Sequence, residues 1–440
     1  MAVFSNVLRK ALIKNQGSGA NWAKGGNYTK ILELTSLSFE DGSINADNRE
    51  AFTGVESPTR IFNDIFQTCA CSLEKRFCPD TDGILLASTI GAPVTTEVEA
   101  GTVYQHVFTL KAAIDQLSNS FALKEDRGAF IFELLGLKGN SWTLSGAGED
   151  NPVTLKIDAI GKSTEYKGIP WNSGYQDWGF SACTEETSST GLANDVTTYS
   201  FDVAVDGGAA QTITITGSNA QTISALISEI NAQLTGATAV FYPQDNGYIR
   251  IKSNSEGSSS TIAITDTNLF SSLTNANANA ETAVAGQTLV KPSIKDFYWS
   301  SCAFTYNGSV LSFVRNIELS GDNGLTQERS GSKYIYEPQR TSALPKIKFD
   351  IYPEDTSWFN IKRGATLQAF IWKMETCEII GSNTHPSLTI NIPKLYVTKV
   401  TPNDAKDGIL TFTIEAEPIA DSNDNYLTMT LVNKDANFTA

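Results

Sequence analysis

Histidine occurs only 2 times in 440 residues and methionine only 3 times. Imidazole is the side chain whose ordinary pKa lies closest to neutral pH, so acid–base or metal chemistry here would fall almost wholly on carboxylates. Sequence signatures of catalysis are missing as well. There is no GxSxG elbow, no HExxH pair and no GxxxxGK[ST] loop, and Gly331-Ser332-Lys333 preserves only a fragment of the last. His106 lies in the strand-like run Tyr104-Gln-His-Val-Phe-Thr and His385 in the turn-like Asn383-Thr-His-Pro-Ser, and both read as structural. The acid-bearing loops Asp80-Thr-Asp82-Gly83, Asp322-Asn323-Gly324 and Asp421-Ser-Asn-Asp424-Asn425 lack the spacing and the closing Glu of an EF-hand, so they read as turns. The chain is expected to be no enzyme and to use no metal or other cofactor.

Charge is scarce too. Charged residues make up 18% of the chain, against about 25% in an average soluble protein. The balance is acidic, with 48 Asp and Glu against 33 Lys and Arg, a net charge of −15. Gripping nucleic acid or an anionic membrane relies on clustered Lys and Arg. The nearest approach to a cluster, Arg329, Lys333, Arg340, Lys346 and Lys348, is interleaved with Glu328, Glu337 and Asp350 and reads as an interface or a solvated strand face. No apolar run approaches the ~18 residues of a transmembrane helix, so no membrane contact is expected. Arg9, Lys10 and Lys14 interrupt the apolar positions of the N-terminus, which reads as an arm or short helix and not a signal peptide. Cys69, Cys71, Cys78, Cys183, Cys302 and Cys377 show neither the dense spacing of a disulfide scaffold nor the paired sets of a zinc site, and read as free thiols.

What replaces charge is Ser, Thr, Asn and Gly, beside 41% apolar and 10% aromatic residues, the composition of a folded, sheet-rich chain. Alternation of period two is frequent. Val153, Leu155, Ile157 and Ala159 oppose Thr154, Lys156 and Asp158; Ile347, Phe349 and Ile351 oppose Lys346, Lys348 and Asp350. Leu388, Ile390 and Ile392, and then Leu410, Phe412, Ile414 and Ala416, repeat the grammar. Ala129–Leu135 and Ser141–Leu144 read as strands joined by a turn at Gly139-Asn140. Residues 57–66 and 111–117 read as short helical or irregular pieces.

Between these β stretches lies a different unit. Tyr199, Phe201, Val203 and Val205 alternate, Asp206-Gly207-Gly208 turns, and Ile213 and Ile215 return. Thr222 then caps a helix carrying Ile223, Leu226, Ile227, Ile230 and Leu234, with Gly236 past its end and two strands after it. Residues 195–290 hold eight acidic side chains against Arg250 and Lys252, −6 of the −15. The expected organisation is an N-terminal arm (1–30), a β domain in two parts (31–190 and 291–440) and an inserted α+β domain (191–290). The β parts form either one sandwich or two tandem copies. In the arm, Phe4, Val7 and Leu8 lack a local core to join and are candidates for contact with a neighbouring ring, as is the loop around Asn45 to Pro58.

Leu117-Ser-Asn-Ser-Phe-Ala-Leu-Lys-Glu-Asp-Arg-Gly, Leu135-Gly-Leu-Lys-Gly-Asn-Ser-Trp-Thr-Leu and Pro152-Val-Thr-Leu-Lys-Ile-Asp-Ala-Ile-Gly-Lys follow one another in an order that resembles phage tail tube proteins. Tyr104–Leu110, Leu311–Val314 with Leu319–Leu325, and Thr389–Leu395 are similar in style, and the likeness spans about residues 30–185 and 295–420. The guest at 195–290 departs from it and resembles inserted modules of flagellins and phage surface proteins. The resemblance implies a mainly β protein, an antiparallel sandwich or barrel with a short helix. It implies rings, usually hexameric, or trimers with two copies per chain, that stack into a tube for genome ejection. Implied partners are the chain itself, the tape measure, tail terminator and tail tip proteins, and genomic DNA in transit without specific binding. The implied location is the virion tail, after synthesis in the host cytoplasm. The acidic balance fits a bore that DNA passes without sticking.

A rival reading is a surface or secreted β-domain protein that binds glycans through exposed tryptophans, Trp142, Trp171, Trp178, Trp299 and Trp358. Burial in a core explains these residues equally well.

Overall fold

A computed structural model describes residues 10–17, 30–40, 69–112, 117–126, 131–148, 151–167, 173–183, 185–242, 247–255, 257, 259–277, 283, 285–286, 293–326, 338–353, 356–404 and 410–436. Every described strand ladder is antiparallel, as alternating apolar and polar residues between short turns dictate. The fold is mainly β, with three described α-helices, Gly83–Thr89, Ile223–Gln233 and Ser357–Arg363. No closed barrel is present among the described strands. The chain divides into two units, one holding Lys30–Lys167 and Lys291–Ala440 together with the N-terminal strand, the other Gly168–Val290.

The larger unit is written twice along the chain. Its first half runs through strands Lys10–Gly17, Lys30–Leu32, Leu34–Glu40 and Cys69–Arg76, helix Gly83–Thr89, then strands Ser120–Asp126, Ile131–Ala147, Thr154–Gly161 and Ser163–Lys167. The second runs through Cys302–Tyr306, Ser309–Val310, Val314–Asp322 and Leu344–Ile351, helix Ser357–Arg363, then Gln368–Glu375, Ser387–Asp404, Leu410–Pro418 and Asn425–Asn433. Each ladder within the first repeat has its counterpart in the second. The open alternative of one sandwich or two copies is thus answered at the level of topology by two copies.

The hinge of each repeat is a long strand shared by two sheets. The first half of Ile131–Ala147 pairs with Ser120–Asp126 and Ser163–Lys167, and its second half with Thr154–Gly161. Ser387–Asp404 does the same with Gln368–Glu375 and Asn425–Asn433, then with Leu410–Pro418. The expected turn at Gly139-Asn140 is therefore a β-bulge inside one strand. The glycine serves close approach, because a Cβ at Gly139 would stand 2.2 Å from Thr89 Oγ1 on the helix. Apolar faces of both sheets meet in one core, including Leu73, Trp142, Leu155, Ile157, Phe349, Phe370, Trp372, Ile390 and Ile414. Each large side chain buried there contributes about 1.5–3 kcal/mol. Leu410, expected inside, is 46% exposed at the strand's start.

Residues 10–17 do not belong to a free arm. They pair with residues 30–32 and 120–126, and Ala11, Leu12 and Ile13 are buried. Phe4, Val7, Leu8 and the loop from Asn45 to Pro58 lie outside the described residues, as do residues 57–66. Of 111–117, Lys111 ends a strand instead of starting a helix.

The guest unit holds two three-stranded sheets. One pairs Tyr175–Gly179, Tyr248–Ser253 and Ala237–Tyr242; the other pairs Gln211–Thr216, Thr198–Val205 and Ile262–Asp266. It begins at Gly168, ahead of the expected residue 191, because Tyr175–Gly179 completes its first sheet. Thr222 Oγ1 accepts from Ala225 N at 3.2 Å and caps Ile223–Gln233 as the sequence indicates. Asp206 and Gly207, with φ of 54° and 69°, make the hairpin turn. Trp178 stacks on Phe270 at 4.2 Å between centroids, and Phe201 meets the same ring edge-on.

Excising Gly168–Val290 with a short linker is expected to leave the larger unit folded, with cooperative thermal unfolding by circular dichroism. Excising only 191–290 leaves a strand without its sheet and is expected to aggregate. Loss of cooperative unfolding in the first variant would falsify the division.

Candidate assembly face and edges

Eight strands of the larger unit lie side by side in the order 34–40, 69–76, 154–161, 138–147, 314–322, 344–351, 410–418 and 395–404. The two repeats join in the middle, where Val314–Asp322 pairs with Ser141–Ala147, Leu319 opposite Leu144 and Gly321 opposite Trp142. A Cβ at Gly321 would come within 2.7 Å of the Trp142 indole, so this seam fits an indole against bare backbone. Asn323, 1% exposed, ties the seam down: its Nδ2 donates to the carbonyls of Thr89 and Gly139, each at 2.8 Å.

Among the described residues, each outermost strand of this sheet is paired on one side only. Leu34–Glu40 has Cys69–Arg76 alone, and residues 396–404 have Leu410–Pro418 alone. An unpaired row of N–H and C=O groups is a template for another chain.

One face of the sheet is core and the other is polar. Across the ladders the polar face carries Arg76, Lys156, Lys346, Lys348 and Lys399 against Glu74, Asp158, Glu318, Asp322, Asp350, Glu415 and Glu417. In register Glu318, Lys348, Glu415 and Lys399 alternate in sign, with Lys399 Nζ 3.1 Å from Glu415 Oε1. Such cross-strand pairs add about 0.2–1 kcal/mol each. Asp350 accepts from Asn316 Nδ2 at 2.7 Å and from Thr413 Oγ1 at 2.5 Å, and a shallow polar depression of about 520 Å³ opens around them. The Asp158 carboxyl is held below the ordinary range by hydrogen bonds from Ser72 and Ser141, which outweigh its partial burial. Among these described side chains the face is thus close to balanced, with two more acidic than basic.

A second clasp joins the repeats. The hairpin Val94–Glu99 and Val103–Lys111 follows the first helix, has no described counterpart in the second repeat, and pairs with Asn425–Asn433 of that repeat. His106 sits in it, fully buried, with Nδ1 2.8 Å from Thr95 Oγ1 and Nε2 2.8 Å from the Asp435 carbonyl and 3.2 Å from Asn433 Oδ1. Burial pushes its pKa below the ordinary imidazole value, against the pull of those hydrogen bonds.

Sequence candidates for chemistry resolve into structure. Asp80 accepts from Ser293 N at 2.8 Å and Ile294 N at 3.0 Å, and Asp421 Oδ1 from Asn423 N and Asn425 N at 2.7 and 2.9 Å. Asp322 Oδ1 accepts from Gly324 N at 2.8 Å. Among the described residues no three His, Cys, Asp or Glu side chains gather as a metal site, and the six cysteines are free. Trp142, Trp178 and Trp358 are buried and Trp299 is half-buried, while Trp171 lies outside the described residues. Arg329 and Lys333 also lie outside them; Arg340 is buried, and Lys346 and Lys348 stand on the polar face.

Sequence reading missed two buried ion pairs. Lys75 Nζ meets Asp82 and donates to Thr81 Oγ1 at 2.8 Å, while Asp82 Oδ2 accepts from Cys78 N at 2.8 Å. In the guest, Arg250 forks onto both Asp177 oxygens at 2.7 and 2.5 Å, with its guanidinium 4.1 Å from the centre of the Tyr175 ring. Alternation offers a hint for Lys75, which shares the buried positions of its strand with Cys71 and Leu73, but none for Asp177, which faces Arg250 on the side away from Trp178, Ile249 and Ile251.

No family model matches the chain, and no curated protein matches it. Among solved structures, the D2–D3 domains of the flagellar cap protein FliD from Serratia marcescens align with 50% of this chain and 97% of their own length, at 11% identity and a TM-score of 0.21. A likeness that faint carries no argument.

Two measurements follow from these contacts. Asp82→Ala strands a buried ammonium and is expected to lower the unfolding free energy by about 3–5 kcal/mol in urea; a loss under ~1 kcal/mol refutes the pairing. For His106 the folded pKa is depressed, so the unfolded chain takes up the proton first as pH falls. Stability should therefore decline as pH drops below about 6.5. His106→Asn should flatten that part of the pH profile, and an unchanged slope would count against it.

Proposed function

We propose that this protein is a structural subunit of a phage tail tube, which self-assembles into rings that stack around a channel for genome ejection. The observation that supports this most is the eight-stranded sheet, with an unpaired edge at either end, a core side and a polar side. A subunit with complementary edges at its two ends propagates head to tail, and a twisted sheet extended that way closes on itself. Closure removes both edges, so protection from aggregation and assembly become one event.

The resemblance supplies the remainder of the reading. Rings of that family usually hold six tube units. With two repeats per chain, three chains supply them. The polar sheet face then lines the bore, where its mixed side chains with a small acidic excess give DNA no array of cations to settle on. The tape measure, terminator and tail tip proteins are the other partners, and the tail of the virion is the location. Phe4, Val7 and Leu8 are proposed to reach the next ring. With three of the five tryptophans buried, no observation favours the glycan-binding alternative.

Negative-stain images of the purified protein are expected to show rings or tubules, and class averages down the axis a three-fold outline. A strictly monomeric protein at all concentrations, or a bore lined mainly by Lys and Arg in a cryo-EM map, would overturn the proposal. Deleting residues 2–9, which stops short of the strand from Lys10, should leave subunits that form no long tubes. Tubes of normal length from that variant would remove the arm from the account.

A further inference from the structure

We infer that the residues ahead of the strand from Lys10 dock on the second repeat of another copy, with Phe4 of one chain seated on Leu410 of the other. This rests on the self-assembly reading above and names one of its contacts.

The two repeats align residue by residue, because their ladders carry β-bulges at matching places: Leu34/Ser36 with Val314/Asn316, Gly139/Ser141 with Val397/Lys399, and Phe121/Leu123 with Gln368/Phe370. The first bulge makes Lys75 and Ile351 counterparts, and these face Leu155 and Phe412. Two residues ahead of that pair stand Val153 and Leu410. The second bulge agrees, since it makes counterparts of Trp142 and Val400, which face Ile157 and Ile414. The third makes counterparts of Leu123 and Phe370, which face Ile13 and Tyr306. Nine residues ahead of these stand Phe4 and Phe297.

Within the chain, the segment that leads into the second repeat lies on the first. Val153 N donates to Phe297 O at 2.8 Å, Phe297 N to Phe77 O at 3.2 Å and Trp299 N to Asn151 O at 3.0 Å, while Pro152 and Tyr298 face each other as an antiparallel bridge. The Phe297 ring stacks on Phe77 with centroids 5.6 Å apart. Under this cover Val153, Phe77 and Phe297 are all fully buried.

The second repeat presents the same place without the cover. Leu410, in the position of Val153, is 46% exposed, and half-buried Pro353 stands two residues past Ile351 as Phe77 does past Lys75. The segment equivalent to the cover is the one that leads into the first repeat, and it carries Phe4 in the position of Phe297. A leading segment in this arrangement lies on the repeat before its own. The repeat before the first is the second repeat of another copy. Phe4 on Leu410 and Pro353 then reproduces Phe297 on Val153 and Phe77, an aromatic ring removing apolar side chains from water in both cases.

The test is a cysteine pair, Ser5→Cys with Ile409→Cys, the counterparts of Tyr298 and Pro152, which leaves Phe4 and Leu410 in place. A Cys377→Ser background removes the exposed native thiol. Facing Cβ atoms across an antiparallel pair lie about 4.5–5.5 Å apart, close enough for a disulfide with slight adjustment. Oxidised assemblies on a non-reducing gel should shift from the 47.5 kDa chain to its multiples, collapsing back on reduction. Pro152→Cys with Tyr298→Cys should lose both new thiols at unchanged mass, and failure to do so removes the template. Ser5→Cys with Glu417→Cys, eight residues along the strand at an exposed position, should stay at the chain mass. Each single-cysteine variant should match wild type in circular dichroism and in assembly. Assemblies that form without the first cross-link, that cross-link equally through Glu417→Cys, or in which the first pair closes inside one chain overturn this contact while leaving the tube reading standing. Absence of any assembly by the wild-type protein overturns the tube reading itself.

Discussion

A sheet edge is a line of backbone donors and acceptors that water satisfies only while no other strand competes for them. The larger unit is organised around that constraint. Each repeat contributes four strands to a common sheet, and one edge of each is covered by the other repeat through the pairing of Val314–Asp322 with Ser141–Ala147. The two remaining edges are the same two surfaces, one from each repeat. The long strands Ile131–Ala147 and Ser387–Asp404 make this possible, since each passes from one sheet to the other and fixes both around a shared core.

The inner seam differs from the proposed outer one in what reinforces it. The hairpin 94–111 reaches from the first repeat onto Asn425–Asn433 of the second, and His106 fastens it near the chain's end. Between helix Ser357–Arg363 and Gln368 the chain has only Gly364–Leu367, with no room for such a hairpin. Covalent connection and an added clasp therefore hold the repeats together inside a chain, whereas the proposed contact between chains would rest on strand pairing and side-chain fit alone. The buried charges follow the same division of labour. Lys75 and Asp82 form an ion pair in the first repeat, while buried Ile351, which faces Val314 beside a β-bulge as Lys75 faces Leu34, fills that place in the second. An ion pair and a large apolar side chain are alternative solutions to one packing position.

Period-two alternation made the β class legible, and the buried faces of 153–159, 347–351 and 388–392 came out as the side-chain pattern requires. A capping threonine and five spaced aliphatic residues marked the guest helix equally well, the fifth, Leu234, standing at its C-cap. Legibility failed where a residue type serves two geometries. Gly139-Asn140 has the composition of a turn, yet the glycine is there so that a helix can lie against the strand. The helix Gly83–Thr89 left no amphipathic signature because it is buried on all sides. The assembly edges were unreadable for a deeper reason: whether a strand has one neighbour or two is a property of pairing partners far away in sequence. The duplication left no repeat that the sequence alone displays, because it is carried by matching ladders and matching β-bulges and not by matching residues.

The position of the guest in the chain has a numerical consequence. Gly168–Val290 is inserted once, after the last strand of the first repeat and before the first strand of the second. Any assembly of this protein therefore displays half as many guests as it has sheet repeats, whatever its size. Around any closed ring of such chains the sheet repeats would recur twice as often as the guests. The covalent fusion of two repeats in this way lets one carry an appended unit that the other lacks while their strand ladders stay alike.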